Sequence, residues 1–140
     1  MIMKSIYITE QDRHRLQDLI EVGRAEPNGH TTYIDALERE VSRSCAVDWN
    51  SVPGDVVTMN SRVRLRDMDS GEIEVYTLVY PSMADAGENR ISVLAPFGTA
   101  IVGSRTGDLI EWPVPAGSRR LLVEDIVYQP EKEGDADLWV

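Results

Sequence analysis

The strongest constraint in this 140-residue chain is a change of hydrophobic period near residue 52. Before it, apolar residues recur at helical steps; after it, they alternate with charged ones. A 3.6-residue stripe does not sit in a sheet, and a two-residue alternation gives a helix no single apolar face. The chain therefore divides into a helical amino-terminal part and a sheet that follows it.

In the first part Leu16, Leu19 and Ile20 share one helical face that runs out near Gly23, and Thr9 followed by Asp12 resembles a capping box. The segment EPNGHTT, residues 26–32, concentrates turn formers and reverses the chain. Thr32 is placed to cap a second helix, with Asp35 near its first turn and Tyr33, Leu37, Val41 and Cys45 along one edge. Two helices of about 12–16 residues make an antiparallel hairpin only about 20–25 Å long.

In the second part Val63 and Leu65 alternate with Arg62, Arg64 and Arg66, and Ile73 and Val75 alternate with Glu72 and Glu74. DMDSG lies between them as a turn, so a β-hairpin is expected with arginines facing glutamates across it. ISVLAP reads as a third strand, FGTAIVG as a short helix, and LIEWPV and RRLLVEDIVYQ as two last strands. The fold class is thus α+β: residues 1–50 a helical hairpin, residues 51–130 an antiparallel sheet domain with one short helix, and residues 131–140 a flexible acidic tail.

Charge narrows the function. The formal net charge is −10, with acidic residues outnumbering basic ones nine to six through residue 50 and fifteen to eight beyond it. A grip on nucleic acid needs the opposite balance, so no direct sequence-specific contact with it is expected. A basic protein surface is the natural partner. No apolar run is long enough for a membrane span, and the first residues turn charged before a signal-peptide core could form, which implies a cytoplasmic protein with no membrane partner. Cys45 is the single cysteine and is expected to fill space as a small buried hydrophobe. His14 and His30 stand apart from any second ligand, no nucleophile elbow is present, and Gly103, Gly107 and Gly117 fit turns rather than a phosphate loop. No cofactor, metal site or catalytic residue is expected.

From Pro53 to Gln129 the order of Ile91-Ser92, Ala95-Pro96, Ala100, Gly103, Gly107-Asp108 and Ile126-Val127-Tyr128 resembles the carboxyl-terminal domain of the bacterial transcript-cleavage factors GreA and GreB. IYITEQDRHRLQDLI and VPGDVVTMNSRVRLRD extend the likeness to the Rnk subfamily, small Gre-like proteins named as regulators of nucleoside diphosphate kinase. The resemblance implies an FKBP-like sheet domain that binds RNA polymerase at the rim of its secondary channel, with the hairpin directed toward the pore. It further implies docking through the stretch around Pro96, Phe97, Gly98 and Ser104.

Gre factors carry an acidic tip on a long coiled coil that helps hold a second Mg²⁺ in the polymerase active centre. This hairpin is shorter, and its tip offers Glu26, with Asp35 about a turn into the next helix and no adjacent acidic pair. One exposed carboxylate is too few ligands for a hard cation, so transcript cleavage is not expected. The expected function is a non-enzymatic regulator that occupies the channel in competition with Gre factors. The alternatives are an FKBP-like peptidyl-prolyl isomerase, against which the scarcity of clustered aromatics counts, and an indirect effect on nucleotide metabolism.

Overall fold

The computed structural model describes residues 6–26 and 31–134. Elements follow in the order β1 (Ile6–Thr9), α1 (Glu10–Ala25), α2 (Thr31–Ser42), β2 (Ser44–Val47), β3 (Arg62–Asp67), β4 (Ile73–Val79), β5 (Arg90–Ser92), α3 (Pro96–Ile101), β6 (Leu109–Val114), β7 (Gly117–Tyr128) and α4 (Pro130–Glu133). The strands form a five-stranded sheet in the order β5-β4-β3-β7-β6, and β1 and β2 pair as a separate ribbon.

The α1–α2 hairpin is present with the expected lengths, 16 and 12 residues. The Thr9 hydroxyl accepts from the Asp12 N–H at 3.0 Å, which satisfies one of the donors a helix start leaves open. Helix α2 begins at Thr31, so Thr32 lies inside it and Asp35 falls beyond its first turn. Its buried edge is Ile34, Leu37 and Val41; Tyr33 is exposed instead, because a three-then-four spacing keeps the stripe facing α1 where repeated steps of four drift off it.

The first 50 residues are not purely helical. Ile6–Thr9 and Ser44–Val47 pair in parallel, tying the two ends of the hairpin together at its root. Cys45 sits on β2, not α2, and is exposed rather than buried.

Within the main sheet β3 pairs antiparallel with both β4 and β7, and β6 with β7, but β4 and β5 run parallel, which corrects the expectation of a wholly antiparallel sheet. The β3–β4 register also differs from the one expected. Arg64 lies opposite Val75 and Arg66 opposite Ile73, so the glutamates of β4 do not face the arginines. The carboxylates come from β7: Arg66 bonds Glu124 at 2.6 Å and Arg64 bonds Asp125 at 3.1 Å. Glu74 turns to the other face and pairs with Arg119.

Between β2 and β3 the backbone is irregular yet buried from Val56 to Ser61, a position that demands a partner for every polar group. Most of those partners are present: Val57 exchanges bonds with Gly103 and Ser104, Asn60 N–H donates to the Leu78 carbonyl, Leu78 N–H to that of Ser61, and the Gln129 amide caps the carbonyls of Pro53 and Val56, while the Asn60 side-chain oxygen has none among the described residues. Helix α3 is pressed against β5 so closely that a Cβ on Gly98 would lie 2.0 Å from the Ser92 carbonyl oxygen.

One apolar core unites these parts. Leu16, Ile20, Ile34, Leu37 and Val41 of the hairpin belong to the same cluster as Val63, Leu65, Leu121 and Val123 of the sheet and Ile101 of α3. The hairpin is therefore not a free finger: its root is ordinary core, and an open groove separates Leu19 and Val22 on its side from residues 80–82. Beyond that point Gly23 packs against Ile34 within the hairpin itself, and the last turn of α1 is largely exposed.

The expected tail is also partly corrected. Its first residues belong to α4, and Glu131 is held by the Thr58 hydroxyl at 2.7 Å, because the buried 56–61 segment supplies a donor there. Residues 135–140 lie outside the described residues.

Candidate interaction surfaces

The hairpin tip is built from the end of α1 and the start of α2. Arg24, in the last turn of α1, donates 2.8 Å hydrogen bonds to both Asp35 and Glu38 of α2. Being exposed, each pair contributes little by itself, but together they link the helices across their open end. Asp35 is therefore a clamp residue that shares Arg24 with Glu38. Glu26 is exposed, and its backbone N–H closes the helix by donating to the Gly23 carbonyl. The rest of the turn, residues 27–30, lies outside the described residues.

Of the four residues expected to dock, Pro96 alone is well exposed. Phe97 is 8% exposed, its ring meeting Tyr76 edge to face at 5.4 Å, and it serves the core. Gly98 is the contact point of α3 with β5. Ser104 follows α3, half-buried, with its hydroxyl on the Ala100 carbonyl at 3.3 Å. Pro96 and Ser104 thus mark opposite ends of a helix whose own side chains mostly face inward.

What the sequence reading missed lies beside Ser104. Glu40 and Arg43 from the end of α2 meet Ser104, Asp108 and Glu111 across a cleft of about 280 Å³. Arg43 is engaged by Glu40 at 3.4 Å, and one Asp108 oxygen accepts the Arg105 N–H at 2.9 Å. Three carboxylates against one arginine make the cleft acidic, suited to a lysine or arginine from a partner. The GD dipeptide signalled a turn at Asp108; nothing local signalled that α2 would stand beside it. Among the described residues no group of three or more side chains could hold a metal ion, and no helix is long and apolar enough to cross a membrane.

Comparison with known proteins agrees with this geometry. Residues 52–128 match the family described as transcription elongation factor GreA/GreB, C-terminal, and residues 4–47 match the Rnk N-terminus. The chain is 39% identical over 136 residues to the regulator of nucleoside diphosphate kinase of Escherichia coli K12, covering 96% of this chain and 98% of that one. It is 34% identical over 90 residues to transcription elongation factor GreA of Clostridium botulinum Eklund 17B, spanning 64% of this chain but 56% of that protein. A solved structure, the prokaryotic transcription elongation factor GreA/GreB from Nitrosomonas europaea, is 40% identical, covers 90% of this chain and 100% of its own, and superimposes with a TM-score of 0.75. Together these matches account for both the hairpin and the sheet, and the chain belongs to the GreA/GreB family, in its short Rnk branch.

Proposed function

We propose that this protein is a non-enzymatic regulator of transcription that docks on RNA polymerase near its secondary channel, competes there with Gre factors and does not promote transcript cleavage. The observation that carries the reading is the match of a Gre-type domain along residues 52–128, joined to a hairpin of the Rnk type in place of a long coiled coil. Within it the sheet domain acts as an FKBP-like platform for docking rather than for turnover of proline peptides, since Phe97 is spent in the core. The acidic cleft beside Ser104 and the end of α2 supply the charge for a basic rim, which makes association fast and salt-sensitive.

The short tip supports occupancy without cleavage. Asp35 is held by Arg24 across the helices, which leaves Glu26 as the expected carboxylate exposed to approach the polymerase. Because the hairpin is core along most of its length, only its last turn projects, and the effect rests on what that turn blocks. The test is binding to core polymerase at low salt with and without GreA, alongside cleavage of stalled complexes. Mutual displacement and no added cleavage are expected, and Glu26→Ala should weaken the transcriptional effect while leaving binding intact. Failure to bind, or binding undisturbed by GreA, would overturn the reading. A second reading, regulation of nucleoside diphosphate kinase, is favoured by the name of the full-length relative. Capture of that kinase, but not of polymerase, by the immobilised chain would select it.

A further inference from the structure

We infer that Asp12, Tyr80 and Glu131 form a proton-dependent latch fastening the helical hairpin and the carboxyl-terminal helix to the sheet. The latch is a property of the fold and stands whether or not the chain binds polymerase.

Three elements distant in sequence converge on it. Asp12 lies in the first turn of α1 and is 8% exposed. Thr9 uses the Asp12 N–H, but the Asp12 carboxyl does not return to the helix start as in a capping box. It accepts instead from the Tyr80 hydroxyl at 3.2 Å, just beyond the end of β4. Glu131, in α4, accepts from the Thr58 hydroxyl at 2.7 Å, and Thr58 is bonded in turn to the Ser61 hydroxyl at 2.9 Å. Glu131 thus hangs from the buried 56–61 segment, and Asp12 from the residue that follows β4.

The charges around Asp12 leave the pair under-compensated. Among the described residues Glu131 acts on it from α4, and the cation acting on it, Arg15, comes from α1 itself. Arg15 places its guanidinium over the Tyr80 ring at 4.3 Å, while Lys132 packs on Gly54. The 56–61 segment contributes hydroxyls but no charge. Two carboxylates in such a setting cannot both ionise cheaply. Burial, with the Glu131 charge adding to it, pushes Asp12 up to about 7, and burial raises Glu131 as well. Burial and the Asp12 charge raise the Tyr80 hydroxyl, which stays a donor throughout.

The sign follows from linkage. A carboxyl whose folded pKa is raised stabilises the fold while protonated, and that contribution is lost as pH climbs from the unfolded value of 3.8 toward about 7. Below neutrality a neutral Asp12 holds its bond to Tyr80 beside Glu131 without repulsion. Above it, two negative charges face each other with little water between them. Relief comes from parting α1 from α4 and Tyr80, which loosens the hairpin root.

The test is a pH titration of the full chain with ¹³C-labelled carboxyls, together with amide exchange along α1, corrected for the intrinsic rate. Asp12 should titrate near neutrality, with protection of Leu16–Ile20 falling about tenfold between pH 6 and 8. Asp12→Asn should keep that protection constant within about twofold over the same range. Glu131→Gln should lower the Asp12 midpoint by at least about half a unit, because a like charge is removed. The Glu131→Gln measurement stands in should Asp12→Asn fail to fold. An Asp12 midpoint in the ordinary carboxylate range, or a midpoint indifferent to Glu131→Gln, would overturn the latch.

Discussion

Two glycines show how far a single hydrogen can be felt. A Cβ at Gly98 meets backbone, the Ser92 carbonyl oxygen at 2.0 Å, and backbone paired in β5 cannot step aside. A Cβ at Gly23 meets only the Cδ1 end of Ile34 at 2.5 Å, which a rotamer change can move. Gly98→Ala should therefore cost about 2–4 kcal/mol in a urea denaturation midpoint, whereas Gly23→Ala should stay within about 1 kcal/mol of the parent, with better helix propensity offsetting the crowding. Asp67 offers a different residue-scale test. The N–H groups of Ser70 and Asp69, with Arg119 beyond them, hold its carboxyl below the usual range. A lowered folded pKa contributes stability above the unfolded value of 3.8 that disappears as pH falls through the folded one. Asp67→Asn should accordingly lower the melting temperature most at neutral pH and converge on the parent below pH 4, which flattens the acid limb of the profile.

At the scale of elements, strong periodic signals were readable and short or non-local ones were not. Val63 and Leu65 announced β3, and Leu16 and Ile20 announced α1, because each lies in a run long enough to show its period. The paired ends Ile6–Thr9 and Ser44–Val47 are four residues each and find each other across the whole hairpin, so neither carries a local sign. The same limit explains the misplaced arginine partners: register shifts between Arg62 and Val63 and between Arg64 and Leu65 bring β7 carboxylates to the face where the β4 glutamates were expected. Of the site, Glu26 was visible as a loop charge, but Glu40 with Asp108 and Asp12 with Glu131 are tertiary pairs invisible to spacing. The β3–β7 pairing has its own check. A double-mutant cycle on Arg66 and Glu124 should return a measurable favourable coupling, and one on Arg66 and Glu74 a coupling near zero. Equal couplings would restore the hairpin register first expected.

For the whole molecule the decisive feature is that hairpin and sheet share one core. Leu37 of α2 and Leu121 of β7 are both fully buried members of it, and α2 packs on α3, which in turn packs on β6. A chain built this way gives the hairpin as a whole no seam along which to melt away from the sheet, and the Asp12 latch can loosen only its root. Leu37→Ala leaves a void at the centre of that shared packing and should lower stability by about 2–5 kcal/mol. The loss should be felt equally by amide probes in α1 and β7, which report a single coincident transition in urea for both parent and variant. A parent whose α1 probes unfold at lower urea than its β7 probes would mean that the hairpin is a separate unit after all. The position of the tip would then be set by its joint with the sheet and not by the core beneath it.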